Sequence, residues 1–548
     1  MTADLARILE LWRARRGWLL LGLAVSAATA LLGLGLMALA GRGIAEAALG
    51  TGAAALALLL LRPLVLLRPL ARYAERLATH AATFRALADT RLWFFRRLAD
   101  RLPAGLGLRR AGDLLGRLVS DVEALDRLYL GAIVPGVAAA ALLLAIALLL
   151  GWTSPALAGI VALPLALALL LPLALAPAAA RAASRVSEAQ GTLRAAAVDP
   201  LTGIEDMLAA NAEPRAAARL AEAGGALAAA EHRLARHAAW GGAAGLLLTQ
   251  AALLGAIGWG LMAGEGTVPL ALLAVFCAVA AAETFGLLPR AGAALAGARA
   301  AAARLFEAAD APVPVADPAH PAPLPAGHAI SIRGVVFAWS PDRPRVFDGL
   351  DLDLPEGQRL AILGPSGAGK STLAALLVKL AAPEAGRITF GGADITTLSA
   401  ADLRSRIACL TQDARLFDDS IAANLRLARP DAEEALLWQA LERARIADLV
   451  RALPDGLNTR CGEGASRFSG GQARRLALAR ALLSPAPVLI LDEPAAGLDA
   501  DTERAFLETL DEATAGRSVI LILHRLTGAE RPNRILRLAG GRAIPAAG

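Results

Sequence analysis

The stretch Gly364–Thr372 reads G-P-S-G-A-G-K-S-T and directly follows the apolar run Leu360–Leu363. It fits the pattern G-x-x-x-x-G-K-[ST] at every fixed position. The apolar run predicts a buried strand, and Ser371–Leu380 predicts a helix with an apolar face, so the motif has the strand–loop–helix context that it requires. The sequence therefore predicts a P-loop within an α/β nucleotide-binding domain.

The residue types in this loop explain how it would hold a polyphosphate. Glycines allow backbone N–H groups to turn inward around phosphate oxygens, and the N-terminus of the following helix adds positive partial charge. Lys370 is predicted to reach the β- and γ-phosphates, and the Ser371 hydroxyl to hold Mg²⁺. A glycine-rich turn that merely contains a lysine is the alternative, and the flanking strand and helix argue against it. The predicted ATP-binding residues also include Gly364, Pro365, Ser366, Gly367, Ala368, Gly369 and Thr372.

A second phosphate-site motif lies at Val488–Glu493, V-L-I-L-D-E, an apolar strand that ends in two carboxylates. Asp492 at the strand tip suits coordination of Mg²⁺, directly or through water. Glu493 suits activation of an attacking water, because a general base must lie within hydrogen-bond reach of the proton that it removes. A solvated acidic turn is the alternative, but the position at the end of a buried strand favours catalysis.

Composition indicates what accompanies this domain. The chain has 548 residues, of which 56% are hydrophobic and 19% charged, with a mean hydropathy of +0.52. These values favour a protein inserted in a membrane over a soluble enzyme. The net charge of +6 comes from arginines that cluster beside apolar segments, which favours membrane orientation over nucleic-acid binding. Three scattered cysteines predict no disulfide framework, and the first apolar run is predicted to be a span rather than a cleaved signal peptide.

Six apolar stretches have about the length of 20 residues that a helix needs to cross a bilayer. They are residues 17–41, 45–68, 131–151, 155–177, 240–263 and 267–289. A buried helix of a soluble domain would explain any one stretch, but not six that are separated by charged segments. The sequence therefore predicts an α-helical membrane domain of six spans at residues 1–310, followed by the α/β P-loop ATPase domain.

The segments between the spans predict how this domain is oriented. Residues 42–44, 152–154 and 264–266 are short loops, whereas residues 69–130 and 178–239 are long, helical in pattern and rich in arginine. Arginine and lysine are enriched in cytoplasmic segments. The long segments and both termini are therefore predicted to be cytoplasmic.

Proline and glycine mark the turns and the linker. Leu102–Arg110 and Asp199–Ala212 predict turns where the long protruding helices reverse direction. Residues 311–328 carry six prolines and predict an extended, semi-rigid linker between domains. From residue 329 to 548 short β-like runs alternate with helices, which is typical of a soluble α/β domain.

Phe468–Gln472, F-S-G-G-Q, followed by A-R-R-L-A-L-A-R-A-L, resembles the signature motif of ATP-binding cassette (ABC) proteins. The resemblance covers the whole C-terminal domain and implies roles for other residues. It implies that Trp339 stacks on adenine, that Gln412 contacts Mg²⁺ and senses the membrane domain, and that His524 acts at the γ-phosphate. Asp499 resembles the aspartate of the loop between two cassettes.

The signature also has a physical interpretation of its own. Ser469 is a good helix N-cap, and Gly470 and Gly471 permit a phosphate to approach the helix end. The family geometry implies that these residues and Gln472 complete the ATP site of an opposing cassette, so that a second cassette is required. The motif begins with Phe468 where the family usually has leucine, and a later loop reads A-G-L-D rather than S-A-L-D. Neither departure removes a catalytic group, so the resemblance implies an active ATPase.

The order of spans, linker and one cassette resembles that of exporter half-transporters, and two runs narrow the family. Arg72–Ala88 (R-Y-A-E-R-L-A-T-H-A-A-T-F-R-A-L-A) and Gly112–Leu130 (G-D-L-L-G-R-L-V-S-D-V-E-A-L-D-R-L-Y-L) resemble the CydC family of exporter subunits. The resemblance implies a heterodimer with a CydD-type subunit in the bacterial inner membrane, export of cysteine and glutathione, and support of cytochrome bd assembly. It also implies haem as a second candidate cargo or ligand.

Two other functions stay open at this point. A homodimeric exporter of lipids or drugs would share the architecture without needing a distinct partner. A haem-sensing assembly subunit would use its ATPase for regulation instead of transport.

Charged residues within the spans are the sequence clues to a cargo. Arg62 in the second span and Glu283 in the sixth each cost about 2.5–3.5 kcal/mol near the bilayer centre on insertion scales. Both lie at similar depth, so they are predicted to face the bundle interior and to pair, or to hold a zwitterionic cargo; snorkelling toward the headgroups is the alternative. His80, about three turns beyond the second apolar run, is a candidate ligand of haem iron, with a solvated interfacial histidine as the alternative.

Overall fold

The structure is a computed structural model that describes residues 3–48, 54–101, 111–340, 342–412, 414–495, 500–528 and 530–546. The chain divides into two compact units, residues 1–100 with 109–311, and residues 101–108 with 312–548. In the described residues the first unit is built of helices, and the second of two sheets with shorter helices.

Long helices dominate the first unit. Its α-helices are α1 (Ala3–Leu11), α2 (Arg16–Ala48), α3 (Ala54–Ala99), α4 (Ala111–Gly116), α5 (Val122–Ala124), α6 (Asp126–Leu128), α7 (Val134–Gly151), α8 (Pro155–Thr202), α9 (Ile204–Ala209), α10 (Glu213–Ala263), α11 (Val268–Phe285) and α12 (Leu288–Ala309). Turns of 3₁₀-helix lie at Trp12–Arg15 and Glu265–Thr267, and π-helical segments at Arg117–Asp121 and Tyr129–Ile133.

Five helical stretches in the described residues are long and apolar enough to cross a membrane. They are Ala3–Ala48, Leu114–Gly151, Pro155–Thr202, Glu213–Ala263 and Val268–Ala309. The predicted α-helical membrane domain is therefore confirmed. The second predicted span, 45–68, is not among the five, and its residues are divided between the end of α2, residues 49–53, which lie outside the described residues, and the start of α3.

Helices α8 and α10 are long enough to extend far beyond a bilayer. They contain 48 and 51 residues, which at 1.5 Å per residue makes each roughly 70–75 Å long, against about 30 Å of hydrocarbon. Ser154 caps α8 by accepting a hydrogen bond from the backbone N–H of Leu157 at 3.3 Å. The two helices are joined through Gly203 and α9, inside the predicted turn at 199–212. The other predicted turn, at 102–110, lies outside the described residues.

The predicted loop at 42–44 is wrong, because α2 continues to Ala48. Gly41 faces α11, and a Cβ atom at this position would lie 2.9 Å from Cδ2 of Phe276. The glycine therefore permits two helices to approach closely and does not end the helix. Arg42 forms an ion pair with Glu46 at 2.8 Å, one turn further along the same helix, which is a favourable helical spacing.

The second unit contains ten strands in the described residues. They are β1 (Ile330–Phe337), β2 (Phe347–Leu354), β3 (Arg359–Leu363), β4 (Ala385–Phe390), β5 (Ala393–Asp394), β6 (Ile407–Leu410), β7 (Val488–Asp492), β8 (Ser518–Leu523), β9 (Arg534–Ala539) and β10 (Arg542–Pro545). An antiparallel sheet has the order β2-β1-β4-β5, and a second sheet has the order β10-β9-β3-β8-β7-β6. From β9 to β6 the neighbouring strands are parallel. The predicted α/β domain is confirmed.

Helices surround these sheets. They are α13 (Lys370–Leu377), α14 (Ala400–Ser405), α15 (Ile421–Arg426), α16 (Glu434–Arg443), α17 (Ala447–Ala452), α18 (Gly470–Leu483) and α19 (Ala500–Ala513). Alternate residues of β7 belong to different cores: Leu489 and Leu491 pack with α15–α18, whereas Val488 and Ile490 pack with β1, β2 and α13. The central parallel strands are therefore buried on both faces, which explains their uninterrupted apolar sequence.

The predicted linker lies along the surface of the second unit. Its described residues form no helix or strand, and the backbone N–H of Ala322 donates to the carbonyl of Thr397 at 2.9 Å. Asp317 accepts a hydrogen bond at 3.0 Å from Nζ of Lys379, a residue that is only 2% exposed. The segment is thus extended, and hydrogen bonds attach it to the rest of the second unit at specific points.

Asp317→Asn is expected to lower the free energy of unfolding of this unit by about 1–2 kcal/mol, because a buried ammonium loses its charged acceptor. Burial raises the pKa of Asp317, but the hydrogen bonds from Lys379 and from the backbone N–H of Ala400, together with the charges of Lys379 and Arg404, hold the pKa below its usual value. The contribution of the pair is therefore complete at neutral pH and is lost as the pH falls through that lowered pKa. Thermal unfolding of the purified chain at neutral and acidic pH measures both effects.

Asp448→Asn is the matched control. This carboxylate is fully exposed and pairs with Arg451 at the surface of the same unit, so the unfolding midpoint should not move. Equal shifts in the two variants would contradict a specific role for the Asp317–Lys379 pair.

Candidate functional site

Strand order brings four separate motifs to one edge of the parallel sheet. The P-loop follows β3, His524 follows β8, Asp492 ends β7, and Gln412 follows β6. These strands are neighbours in the order β3-β8-β7-β6 and run parallel. Their carboxyl ends therefore lie side by side, which is where open α/β sheets bind ligands.

The P-loop has the backbone conformation that its glycines permit. Gly367 and Gly369 have φ values of +83° and +97°, in the left-handed region. A Cβ atom at Gly369 would lie 2.6 Å from Cγ1 of Val346, so a larger residue cannot be accommodated without movement. Lys370 begins α13 and is 7% exposed, and its Nζ donates to the carbonyl of Gly364 at 2.7 Å. The lysine ammonium therefore lies against the P-loop, where the phosphates of a nucleotide would bind.

Ser371 and Asp492 meet beneath this loop. The Ser371 hydroxyl donates to Oδ2 of Asp492 at 3.0 Å, and Asp492 is 1% exposed. Its other oxygen, Oδ1, is buried and has no hydrogen-bond partner among the described residues. Burial raises the pKa of Asp492, and the neighbouring charge of Glu493 raises it further. A buried, unpartnered carboxylate oxygen beside a hydroxyl fits a hard divalent cation such as Mg²⁺, which prefers oxygen ligands.

Glu493 adopts a strained backbone conformation next to Asp492. Its φ is +48°, in a region that side chains other than glycine rarely adopt. Its backbone N–H donates to the carbonyl of Ile522 at 2.9 Å. Nε2 of His524 lies 2.6 Å from Oε1 of Glu493, within hydrogen-bond distance. Backbone strain that neighbouring contacts maintain is common at functional sites, and here it aims the carboxylate at the histidine.

Arg474 is a residue of this site that the motifs do not reveal. Its Nε donates to the carbonyl of Glu493 at 2.8 Å, and its Nη1 donates to the carbonyl of Gln412 at 2.6 Å. Its Nη2 donates to the carbonyl of Asp492. One guanidinium therefore holds the backbone of three motif residues. The only sequence signal is an arginine two residues after the signature, within a helix that contains two others.

The signature occupies the start of α18. Oγ of Ser469 accepts from the backbone N–H of Gln472 at 3.3 Å, and the side chain of Gln472 accepts from the backbone N–H of Ser469 at 2.9 Å. This reciprocal pair is a capping box, so the structure supports Ser469 as the predicted N-cap and gives Gln472 a structural role. Gly470 follows with open space where a Cβ would be, and Gly471 comes next in the same first turn. The helix end is thus open to an approaching ligand.

Trp339 lies beside the P-loop in a surface cavity of about 460 Å³, whose lining includes Gly367 and Ala368. Nε1 of Trp339 donates to Oγ1 of Thr372 at 3.1 Å, and the edge-to-face contact with Phe337 has a centroid distance of 5.2 Å. The indole is 40% exposed. An aromatic face is therefore available next to the phosphate loop.

The other residues that the sequence predicts for the nucleotide site are exposed or lie outside the described residues. Pro365 and Ser366 are exposed at the outer curve of the P-loop, as is the side chain of Gln412 at the end of β6. Asp499 lies outside the described residues. No group of three or more histidine, cysteine or acidic residues with metal-ligand geometry occurs in the described part of the chain.

A polar cavity of about 500 Å³ lies within the helical unit. Its charged and titratable lining residues are Arg68, Arg72, Glu75, Arg76, His80, Glu283 and Arg290. Four arginines against two glutamates leave a net charge of +2 with the histidine neutral. Oε1 of Glu75 accepts from the Ser26 hydroxyl at 2.6 Å. A cluster of charged residues that lines a cavity among membrane helices is a candidate substrate or ion pathway.

The structure brings two of the three cargo candidates to this cavity. Glu283 and His80 line it, whereas Arg62 is exposed and is absent from its described lining. Glu283 accepts hydrogen bonds from Arg68 and Arg72, so the direct pairing with Arg62 that the sequence predicts is not formed. Arg68 and Arg72 lie further along α3 and reach the carboxylate instead.

Comparisons with known proteins agree with this geometry. The family model described as ABC transporter matches residues 347–496. The chain is 32% identical to the glutathione/L-cysteine transport system ATP-binding/permease protein CydC of Escherichia coli (strain K12), over 98% of this chain and 95% of that protein. It is 29% identical to the corresponding protein CydD of Bacillus subtilis (strain 168), over 87% and 83% of the two chains. The solved structure of a bacterial Atm1-family ABC exporter with ATP bound superposes with a TM-score of 0.85, at 26% identity, over 97% of this chain and 94% of that chain.

Proposed function

Since this chain belongs to the CydC family of ABC exporter subunits, a multi-pass membrane ATPase coupled to transport, we propose that it works as one half of a heterodimer with a CydD-type subunit. The proposed cargo is a low-molecular-weight thiol, cysteine or glutathione, and the proposed place is the bacterial inner membrane with the cassette and both termini cytoplasmic. This activity would support cytochrome bd assembly. The observation that carries the proposal is a charged cavity among the helices of a chain that also contains a candidate ATP site around Ser371 and Asp492.

The nucleotide half of the mechanism is assigned to the residues of the sheet edge. Lys370 and the P-loop backbone would bind the phosphates of ATP, while Ser371, Asp492 and Gln412 would hold Mg²⁺, which neutralises phosphate charge when bound. Glu493 would take a proton from the attacking water, with His524 orienting its carboxylate. Trp339 would stack on adenine. Ser469–Gln472 would complete the site of the partner cassette, so each closed site requires both subunits.

The cargo half is assigned to the cavity in the helical unit. Cysteine and glutathione each carry an ammonium and at least one carboxylate, so they need positive and negative partners together. Two arginines converge on Glu283, which leaves a local excess of positive charge for a cargo carboxylate while the glutamate can accept from an ammonium. The thiol itself needs no charged partner. Alternating exposure of this cavity to the two sides of the membrane would then accomplish export.

Haem is the second candidate cargo, and the presence of His80 in the cavity lining is what favours it. The imidazole would supply one axial ligand, and the arginines would pair with the two propionates. His80 packs against Phe84 with a centroid distance of 5.8 Å, so an aromatic ring that could contact the macrocycle lies next to the imidazole.

Uptake into vesicles separates these cargoes. The reconstituted heterodimer should accumulate labelled cysteine or glutathione in inside-out vesicles only with hydrolysable ATP. Accumulation of haemin without thiol accumulation would replace the proposed cargo by the second candidate. Full activity of this chain alone as a homodimer would contradict the heterodimer.

Glu283→Gln is expected to raise the cargo concentration for half-maximal transport by about tenfold, because one charge-assisted interaction is worth about 1.5–3 kcal/mol. ATPase activity without cargo should not change. The measurement is the dependence of uptake on cargo concentration.

Arg62→Gln is the matched control, since Arg62 is a charged residue on α3 outside the cavity lining. Uptake by this variant should match the wild type. If the two substitutions weaken uptake equally, Glu283 has no specific part in binding cargo.

A further inference from the structure

A strongly basic groove lies between α8 and α10, away from the cavity described above. It has a volume of about 450 Å³ and its charged lining consists of Arg181 and Arg185 from α8, and Arg233, Arg236 and His237 from α10. Small alanine side chains make up the rest of its lining. The spacing of the arginines, four apart on α8 and three apart on α10, places each pair on one helix face. Two basic faces are therefore opposed across one groove.

No acidic partner of these arginines occurs in the described ranges of the chain. Arg181 donates through Nε to the carbonyl of Pro177 at 3.3 Å, and none of the four forms an ion pair in the residues that the structure describes. All four arginines are exposed. Like charges at neighbouring helical positions destabilise a helix by about 0.2–0.5 kcal/mol per pair. A bound anion would remove this repulsion.

Two of the four arginines lie at the depth of the lipid headgroup layer. Arg181 lies four residues beyond the predicted span end at 177, and Arg236 lies four residues before the span start at 240, about 6 Å from the hydrocarbon boundary at 1.5 Å per residue. The headgroup layer on each side of a bilayer is roughly 5–8 Å thick, so Arg181 and Arg236 lie within it. Arg185 and Arg233 lie about 12 and 10 Å from the same boundary, just on the cytoplasmic side of the layer. Trp240, which is 70% exposed, marks the same boundary.

An apolar slot continues from the basic groove toward the membrane interior. Ala178 and His237 line both. The slot is otherwise formed by apolar side chains and glycines, among them Leu175, Gly241 and Phe285. The slot has a volume of about 40 Å³, so a ligand that occupies both joins an anionic group to a small apolar group, such as the start of a hydrocarbon chain.

We propose that this groove binds an anionic phospholipid of the cytoplasmic leaflet, with its phosphate held by Arg181, Arg185, Arg233 and Arg236 and the start of its acyl chain in the apolar slot. Basic pockets between membrane helices on the cytoplasmic side are suited to such headgroups. Guanidinium groups bind phosphate oxygens in a bidentate manner. The site tethers the α8–α10 pair to the lipid and is separate from the cargo cavity.

The test uses the intact heterodimer in nanodiscs of phosphatidylcholine that contain a fluorescent cardiolipin as probe. Binding to the wild type should be saturable, and the double variant Arg181→Gln/Arg236→Gln should weaken it by at least about tenfold, the effect of losing one or more charge-assisted contacts. The matched control is Arg215→Gln/Arg219→Gln, which removes the same charge from α10 at positions outside the groove lining.

Each outcome decides the proposal. Equal weakening in the two double variants would overturn it, because only net charge would then matter. Displacement of the probe by inorganic phosphate as effectively as by unlabelled cardiolipin would also overturn it in favour of a free-anion site. Displacement by glutathione would assign the groove to cargo, and loss of heterodimer in the groove variant alone would assign it to the partner subunit. Selective loss of cardiolipin binding with intact thiol uptake supports it.

Discussion

Glu493→Gln should leave ATP binding intact while lowering the ATPase turnover of the heterodimer by about 10²–10⁴-fold, the usual contribution of a general base. The amide has nearly the shape of the carboxylate, and its oxygen can still accept a hydrogen bond from Nε2 of His524, which lies 2.6 Å from Oε1 in the wild type. What the variant loses is the ability to take a proton from water. Binding contacts of the P-loop do not involve this side chain and should persist.

Steady-state ATP hydrolysis and equilibrium binding of Mg-ATP measure the two halves of this expectation. Glu384→Gln is the matched control, because this glutamate lies on the surface of the same cassette with a 3.9 Å contact to Arg345. That variant should hydrolyse ATP like the wild type. An unchanged turnover in Glu493→Gln would assign the base to another residue, and a loss of ATP binding would show that Glu493 acts structurally.

The candidate nucleotide site could be outlined from the sequence because its determinants are local. The P-loop carries its own strand, glycines and helix start, and the strand before Asp492 is apolar throughout. Once the four motif strands are neighbours in one parallel sheet, their ends must meet. The capping box at Ser469 is likewise a four-residue pattern. Such features depend on few distant contacts.

What the sequence could not predict depends on packing between distant residues. Glycine is typical of turns, but Gly41 lies where α2 approaches Phe276 of α11 closely, and the helix continues past it. Arg62, Arg68 and Arg72 lie on one helix, and only the rotation of α3 against α11 decides which of them reach Glu283. Proline content predicts that residues 311–328 are extended, but it contains no information about their attachment through Asp317.

Arg474 illustrates the same limit within the site itself. Three backbone carbonyls, two of them at the end of β7 and one after β6, converge on its guanidinium from segments about 60 and 20 residues away in sequence. No local pattern encodes this convergence. It arises because α18 packs against β6 in the same core cluster as β7.

Arg474→Ala is therefore expected to lower kcat for ATP hydrolysis by about 10²-fold, since a displacement of roughly 1 Å in a catalytic group costs about that much. Without the guanidinium, the carbonyl of Glu493 loses its 2.8 Å contact, and the strained backbone at φ +48° can relax. The KM for ATP should change little, because all three contacts of Arg474 are with Gln412, Asp492 and Glu493 rather than with the P-loop. A lower kcat with a nearly unchanged KM is the result expected for a positioning residue.

Two further variants separate positioning from charge and from folding. Arg474→Lys keeps the charge but replaces a planar fork by a single ammonium, which cannot span three carbonyls, so it should recover only part of the activity. Arg475→Ala removes the neighbouring arginine, whose Nη1 donates to the carbonyl of Arg445 away from the carboxylates, and it should keep kcat. Full recovery by lysine would mean that only the positive charge beside Asp492 and Glu493 matters. Equal losses of kcat and ATP affinity in Arg474→Ala would mean that the arginine stabilises the cassette as a whole, because a positioning defect leaves the phosphate loop able to bind.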